Sequence, residues 1–244
     1  MSKKEPFMIL APGFSNYYRE YPTFEERFGK DNFAHATNYK RYSVEEHLEE
    51  LESIIPENRS YMIVGYSMGG CNLIELLSRK ALPNCNGIVL VGAARILTPH
   101  WFLNFLFKLP VPLIYFFAGL IALLFPFNLI VSGFNLKKAI PASFEGLERL
   151  IENGAGKMKK EYNQCVRKVG RNVENILEEN KDIPLLIIRI QKDMMVDEED
   201  LATVKSFFNK WDEEILPEHI IHLTHKYDRL YIELIDERKD FFGI

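Results

Sequence analysis

The stretch Tyr61–Gly70, YMIVGYSMGG, decides the fold of this 244-residue chain. It begins with apolar residues in an unbroken run, which is typical of a strand that is covered on both faces. Ser67 follows this run, and the residues after it, 68–80, have the composition of a helix. The pattern G-x-S-x-G between a buried strand and a helix is typical of a nucleophile elbow, a sharp turn that presents a serine hydroxyl.

Strands and helices alternate on both sides of this turn. Apolar runs predict strands at 7–10, 32–37, 61–66, 87–91, 184–190 and 219–224. Helices are predicted at 43–55, 68–80, 197–210 and 226–241, the first of them opened by a capping box of Ser43 and Glu46. Such alternation predicts the α/β class, with a mostly parallel sheet of about six strands and helices on both faces.

The alternation is interrupted once, after the fourth predicted strand. Residues 96–181 contain no convincing strand and are predicted to form a helical insertion, which leaves 1–95 and 182–244 as the core domain. The first part of the insertion, 101–134, carries a single charge, at Lys108. The second part, 137–171, holds nine basic and four acidic residues. The two parts therefore offer two different surfaces.

Composition excludes several classes of function. The chain is 47% hydrophobic with a net charge of −4, so a sizeable core is expected and nucleic acid is not an expected partner. Three cysteines without close spacing indicate reduced, buried thiols rather than a disulfide framework. The short apolar run near the N-terminus is unlike a signal peptide, so a cytoplasmic location is expected. No metal cluster or phosphate loop is evident, so we predict no metal and no cofactor.

The segment Gly65–Gly70, the strand before it and the order of elements around it resemble the α/β-hydrolase fold family. The resemblance covers nearly the whole chain outside the insertion. It implies a catalytic triad whose serine is Ser67, with an acid after a later strand and a histidine after the last strand.

Two residues match the positions that the resemblance implies for the acid and the base. Asp193 follows the predicted strand 184–190, with Asp197 and Asp200 as alternatives. His225 follows the last predicted strand, with His222 as the alternative. In this arrangement the acid orients the imidazole, and the imidazole removes the proton of the serine.

The end of the first predicted strand supplies a candidate oxyanion hole. Gly13 would let the loop fold back over the serine, and the backbone N–H groups of Phe14 and Met68 would hold the oxyanion. Candidate substrate-binding residues are Gly13, Tyr66, Trp101 and Phe102.

The insertion resembles the lid that members of this family often carry between the same strands. Residues 109–131 lack any charge, which on length alone would predict a membrane-spanning helix. A single crossing would separate Ser67 from Asp193 and His225, and prolines interrupt the segment, so a lid is the preferred interpretation. Lid residues 101–171 are predicted to contact either an acyl carrier protein or a membrane surface. If they contact a membrane, the protein would be peripherally associated with it.

The sequence therefore predicts a serine hydrolase that cleaves the ester of a hydrophobic acyl group, acting as a monomer or a homodimer. One alternative is an esterase or thioesterase for acyl-carrier or acyl-CoA substrates. Another is a hydrolase-like binding protein without catalysis, because Pro12, Ile190 and Thr224 depart from residues that are usual in the family.

Overall fold

The computed structural model describes residues 5–14, 21–37, 41–98, 101–123, 150–191, 195–217 and 227–244. Six strands form one sheet: β1 (Phe7–Ala11), β2 (Phe33–His35), β3 (Tyr61–Tyr66), β4 (Cys85–Val91), β5 (Leu185–Ile190) and β6 (Trp211–Leu216). Their order is β2-β1-β3-β4-β5-β6, and every neighbouring pair is parallel. The predicted α/β fold with a parallel sheet of about six strands is confirmed.

The helices occupy the intervals between strands. They are α1 (Pro22–Phe28), α2 (Val44–Ser53), α3 (Met68–Arg79), α4 (Trp101–Leu106), α5 (Val111–Leu123), α6 (Ala155–Glu161), α7 (Glu198–Phe207), α8 (Asp228–Asp236) and α9 (Lys239–Phe242). The predicted capping box is present at α2: the Glu46 N–H donates to the Ser43 hydroxyl, and the Glu46 carboxylate accepts from the Ser43 N–H. The prediction for 226–241 combined two helices, α8 and α9, into one.

Two apolar clusters cover the two faces of the sheet. One cluster joins α2, α3 and α7 to one face, through residues such as Leu48, Ile74 and Val204. The other joins α1 and α8 to the opposite face, through residues such as Phe24 and Ile232. The central strands are buried on both sides, which explains why their sequences are continuously apolar rather than alternating.

The sequence predicted no strand for the segment that forms the sixth strand of the described sheet, and the strand predicted at 219–224 lies outside the described residues. The sixth strand is Trp211–Leu216, WDEEIL, and 218–226 lie outside the described residues. The helix predicted at 197–210 correspondingly ends at Phe207. This edge strand was not predicted because it contains three consecutive acidic residues, and charged residues in a row do not fit the apolar pattern expected of a buried strand.

The charges of β6 are paired by neighbouring cations. Arg238 donates to the carboxylates of Asp212 and Glu214, each at 2.7 Å. Arg189 of β5 donates to Glu213 at 2.6 Å. Hydrogen bonding to Arg238 holds the pKa of Asp212 below its ordinary value. The strand therefore tolerates its acidic run because cations on two flanking elements neutralise it.

The described part of the insertion packs on the core rather than standing apart from it. Leu106, Phe107, Ile114 and Tyr162 belong to the same apolar cluster as α2 and α3. A single turn of π-helix, Tyr162–Val166, continues α6. Among the helices that the structure describes, none combines the length and the apolar character needed to cross a bilayer.

A buried histidine–carboxylate pair also joins the insertion to the core. His47 Nε2 of α2 lies 3.6 Å from Glu161 Oε1 of α6, and both side chains are almost completely buried. Burial lowers the pKa of His47 to about 4, so the imidazole is neutral at physiological pH.

Candidate active site

Ser67 occupies the sharp turn that the sequence predicted between β3 and α3. Its backbone has φ 47° and ψ −117°, and it is the one non-glycine residue with positive φ in the described part of the chain. Its N–H donates to the Val91 carbonyl at 2.9 Å, and its own carbonyl accepts from Gly70 and Cys71. The positive φ is energetically unfavourable for an L-amino acid, and backbone hydrogen bonds on both sides of Ser67 hold it in this conformation.

The glycines around Ser67 are required by close backbone contacts. A Cβ at Gly65 would lie 2.6 Å from the Gly70 Cα, and one at Gly69 would lie 2.1 Å from the Ala11 carbonyl oxygen. A Cβ at Gly70 would lie 2.4 Å from the Ala93 Cβ. The three glycines let α3 start close against β1, β3 and the chain after β4, so the elbow geometry follows from the sequence pattern.

Ser67 lies at the carboxyl edge of the sheet, beside the point where the strand order reverses. The chain runs from β1 to β2 on one side, and β3 pairs with β1 on the other, with Ala11 in register with Gly65. Ligands of open parallel sheets bind at the carboxyl ends of the strands at such a point. The turns that follow β1 and β3 therefore border the expected ligand crevice.

The candidate oxyanion residues sit on these two turns. Phe14 follows the end of β1 after Pro12 and a buried Gly13, and Met68 is the first residue of α3. N–H groups in the first turn of a helix have no acceptor within the helix, so the Met68 N–H is suited to binding an oxyanion. The close approach of Gly69 to Ala11 brings the two turns together.

The insertion contacts the oxyanion turn directly. The Phe14 ring packs edge-on against Phe107, with centroids 5.9 Å apart, and against Tyr162 at 6.1 Å. Phe107 and Tyr162 stack on each other at 4.7 Å. An aromatic layer from the insertion therefore borders the loop that would carry one of the two oxyanion donors.

Asp193, the candidate acid, lies outside the described residues, and the chain on both sides of it is anchored at the carboxyl edge. The Gln191 N–H donates to the Leu216 carbonyl at 3.2 Å, and the Met195 carbonyl accepts from the Thr98 N–H at 3.0 Å. The three residues between them, 192–194, include Asp193.

Both alternatives to Asp193 have structural partners instead. Asp197 caps α7 by accepting from the Glu199 N–H at 2.8 Å. Asp200 is buried and binds the Arg95 guanidinium and the Ile96 N–H, both at 2.9 Å. Asp197 therefore stabilises the start of α7, and Asp200 joins α7 to the chain after β4.

His225, the candidate base, and its alternative His222 also lie outside the described residues. The segment that contains them joins the end of β6, Leu216, to α8. Because β6 is parallel to β5 and pairs with it through Ile190 and Leu216, this connection leaves from the carboxyl edge that also carries Ser67.

Four further predicted site residues have different environments. Gly13 is buried, Trp101 is 69% exposed at the start of α4, and the side chain of Phe102 lies outside the described residues. The Tyr66 ring is buried in the cluster that contains α8, and its hydroxyl donates to Asp228 at 2.9 Å. Tyr66 therefore has a structural role, and its contact with substrate stays a prediction.

The contact between Tyr66 and Asp228 was not predicted from the sequence. Asp228 is the first residue of α8 and is only 4% exposed, and Tyr66 directly precedes Ser67. Burial raises the pKa of Tyr66 far above its ordinary value, and the nearby Asp228 raises it further, which keeps the phenol protonated as a donor. The sequence features that could have suggested this contact are the tyrosine next to Ser67 and the acidic residue at the start of α8.

The described cysteines and the described groups that could bind a metal were also compared with the requirements of metal and thiol sites. Within the described ranges, no group of three His, Cys, Asp or Glu side chains is arranged to hold a metal ion. Cys71 and Cys165 are buried and Cys85 is partly buried, and all three are free thiols. Burial raises the pKa of Cys71 and of Cys165 and raises that of Cys85 to about 12, so none is a ready nucleophile.

Comparison with known proteins supports the fold. No family model and no curated protein matches the chain. Among solved structures, it is similar to a hydrolase from Oleispira antarctica, with a TM-score of 0.65, 15% identity and coverage of 96% of this chain and 92% of that one.

Two further solved structures agree. A bromoperoxidase from Bacillus anthracis has a TM-score of 0.61 and 11% identity, over 98% of this chain and 92% of that one. An esterase from Exiguobacterium antarcticum has a TM-score of 0.55 and 13% identity, over 100% of this chain and 91% of that one. Together with the parallel sheet and the serine turn, these similarities identify the chain as a protein with the α/β-hydrolase fold.

Proposed function

We propose that the protein is a serine hydrolase that cleaves the carboxylic ester of a hydrophobic acyl substrate through an acyl-enzyme intermediate. The observation that carries this proposal is the backbone of Ser67, whose φ of 47° is held between β3 and α3 at the carboxyl edge of the sheet. Strained backbone at a non-glycine residue persists where function requires the side chain to be presented, and the elbow does this for a nucleophile.

The proposed mechanism uses three side chains and two backbone groups. His225 accepts the proton of the Ser67 hydroxyl as the oxygen attacks the ester carbonyl, and Asp193 stabilises the resulting imidazolium. The backbone N–H groups of Phe14 and Met68 bind the oxyanion. His225 then gives its proton to the departing alcohol. Water, activated by the same imidazole, releases the acid and restores the serine.

The insertion supports a hydrophobic substrate. Phe14, which is partly buried, packs on the buried rings of Phe107 and Tyr162, so an acyl chain bound at Ser67 would meet the Phe14 ring on that side. We propose that the insertion acts as a lid whose apolar residues bind the acyl chain. A thioester remains the alternative substrate, since the same two-step chemistry applies to it.

Ester hydrolysis by defined variants tests this proposal. Wild type should hydrolyse p-nitrophenyl esters and prefer a longer acyl chain over acetate. Ser67→Ala, His225→Ala and Asp193→Asn should each lose at least about a hundredfold in kcat, because each removes a part of one catalytic unit.

Matched controls separate catalysis from unfolding. His222→Ala and Ser78→Ala change the same residue types outside the proposed triad and should keep activity within about threefold of wild type. Equal loss in His222→Ala and His225→Ala, or hydrolysis that survives Ser67→Ala, would contradict the assignment. A rate that does not vary from acetate to laurate would contradict the proposed acyl site.

A further inference from the structure

A cavity opens beside α4, and residues of the chain after β4, of α4 and of the turns after the π-helical turn line it. Its volume is about 700 Å³, within the range of sites that bind small molecules. Asn104 lines it and accepts a hydrogen bond from the Tyr162 hydroxyl at 2.9 Å, and Tyr162 in turn packs on Phe14. None of the proposed catalytic or oxyanion residues that the structure describes lines this cavity.

Three cations line the cavity, and none of the described residues in its wall is acidic. Lys108 comes from the end of α4, and Arg167 and Arg171 come from the turns after the π-helical turn. Among the described residues, no carboxylate lies within ion-pair distance of any of the three, whereas Arg95 nearby is paired with Asp200. Three exposed cations along one cavity, with no acidic partner among the described residues, give it a positive potential that attracts anions.

The number of cations favours phosphate over carboxylate. Arginine presents a planar set of donors that binds phosphate oxygens in pairs, and the lysine adds a mobile ammonium charge. A phosphate or diphosphate offers enough oxygens for all three cations, whereas a single carboxylate offers two.

Aromatic side chains form another part of the same wall. Trp101 is 69% exposed and Phe105 is 43% exposed, so both rings are accessible from solvent. An exposed indole beside a cationic site provides a face on which a flat ring can stack.

We propose that this cavity binds an organic phosphate, namely a phosphate or diphosphate group attached to a flat ring, as in a nucleotide. Arg167, Arg171 and Lys108 bind the phosphate oxygens, and Trp101 stacks on the ring. The proposal does not rest on the hydrolysis proposed above, because the phosphate would be bound by residues other than Ser67, Asp193 and His225. Trp101, which the sequence suggested as a substrate-binding residue, is here assigned to the ring of the phosphate ligand.

The fluorescence of Trp101 allows ligand binding at this cavity to be measured without an activity assay. The chain has two tryptophans, so Trp211→Phe leaves Trp101 as the single indole reporter. In this background, adenosine diphosphate should quench the fluorescence saturably. It should bind at least about tenfold more tightly than either adenosine or inorganic pyrophosphate, which carry only one of the two recognised groups.

Paired charge variants locate the site. Arg167→Gln with Arg171→Gln should weaken adenosine diphosphate binding at least about tenfold. Lys157→Gln with Lys168→Gln removes two exposed cations from the same insertion that do not line the cavity, and it should change binding less than about threefold. A ligand-induced rise in melting temperature of the otherwise unchanged protein provides the same comparison and shows that each variant folds.

Four outcomes would overturn the proposal. They are the absence of saturable quenching at millimolar adenosine diphosphate, equal binding of adenosine, equal binding of pyrophosphate, and equal weakening by the two pairs of variants. Without saturable quenching, the cavity does not bind the ligand. Equal binding of adenosine would exclude recognition of the phosphates, and equal binding of pyrophosphate would exclude recognition of the ring. Equal weakening by the two pairs of variants would mean that the cations of the insertion attract the ligand only through their general charge.

Discussion

The conformation of Ser67 is the residue-scale feature on which the proposed chemistry depends. Its positive φ places an L-residue where glycine is favoured, at a cost of roughly 1–3 kcal/mol. The surrounding packing enforces this conformation, since the N–H of Ser67 is bonded to Val91 and α3 starts against the sheet. The conformation that presents the Ser67 hydroxyl therefore lowers the free energy of unfolding.

Two substitutions of Ser67 measure the cost of its backbone conformation. Ser67→Ala keeps a Cβ and therefore keeps the strain, whereas Ser67→Gly relieves it. We expect Ser67→Gly to be more stable than Ser67→Ala by about 1 kcal/mol in urea unfolding, with both variants inactive. If the alanine variant proves the more stable of the two, the residue is not strained.

The backbone contact at Gly69 gives a second prediction. A methyl group at Gly69 would clash with the Ala11 carbonyl, so Gly69→Ala should lower the free energy of unfolding by about 3 kcal/mol. Gly119→Ala is the control, because nothing lies within 4 Å of its added Cβ in the middle of α5. The control should be neutral or stabilising by about 0.5–1 kcal/mol. Equal thermal stability of the two variants would contradict the close packing of the elbow.

At the scale of elements, the acidic edge strand β6 depends on cations from outside itself. Arg238 follows α8 and donates to two carboxylates of the strand, which attaches the end of α8 to the edge of the sheet. The same helix begins at Asp228, whose carboxylate accepts from Tyr66 beside the elbow. α8 is thus attached to the sheet near both of its ends.

Substitution of Arg238 tests this attachment through its pH dependence. Arg238→Gln should cost about 0.5–1 kcal/mol at pH 7, since the partners are partly exposed. Because Arg238 lowers the pKa of Asp212 from its ordinary 3.8, the contribution is complete above about pH 4 and is lost as the pH falls through the lowered value.

Urea unfolding of wild type and variant from pH 7 to pH 3 measures this difference. The two stabilities should converge in acid. Arg229→Gln removes an exposed charge from the same helix and should show no such trend. A gap between wild type and Arg238→Gln that stays constant down to pH 3 would contradict the role of Asp212.

Individual elements also show what sequence reasoning can and cannot find. The central strands and α3 were predicted nearly to the residue, because burial on both faces leaves an unbroken apolar run and the elbow leaves its glycines. The strand β6 was missed because its acidic side chains are compensated by Arg189 and Arg238, which are distant in sequence. The stabilising partner of a charge cannot be read from local periodicity.

At the scale of the whole molecule, the candidate site is assembled by topology. Parallel strands place the turns after β1, β3, β5 and β6 along one edge of the sheet, although they are far apart in sequence. The order of motifs along the chain was therefore enough to predict Ser67, Phe14 and Met68 on neighbouring turns. The contact of Phe14 with the insertion was not predictable, because it depends on how Phe107 and Tyr162 fold back over the sheet.

Labelling with a fluorophosphonate probe tests the central claim most directly, because the probe reacts with an activated serine. Wild type should be labelled, and tandem mass spectrometry should place the adduct on Ser67. Ser67→Ala should not be labelled, and Ser78→Ala should be labelled as wild type. An adduct on another residue, or a folded wild type that does not react, would contradict the claim that Ser67 is the nucleophile.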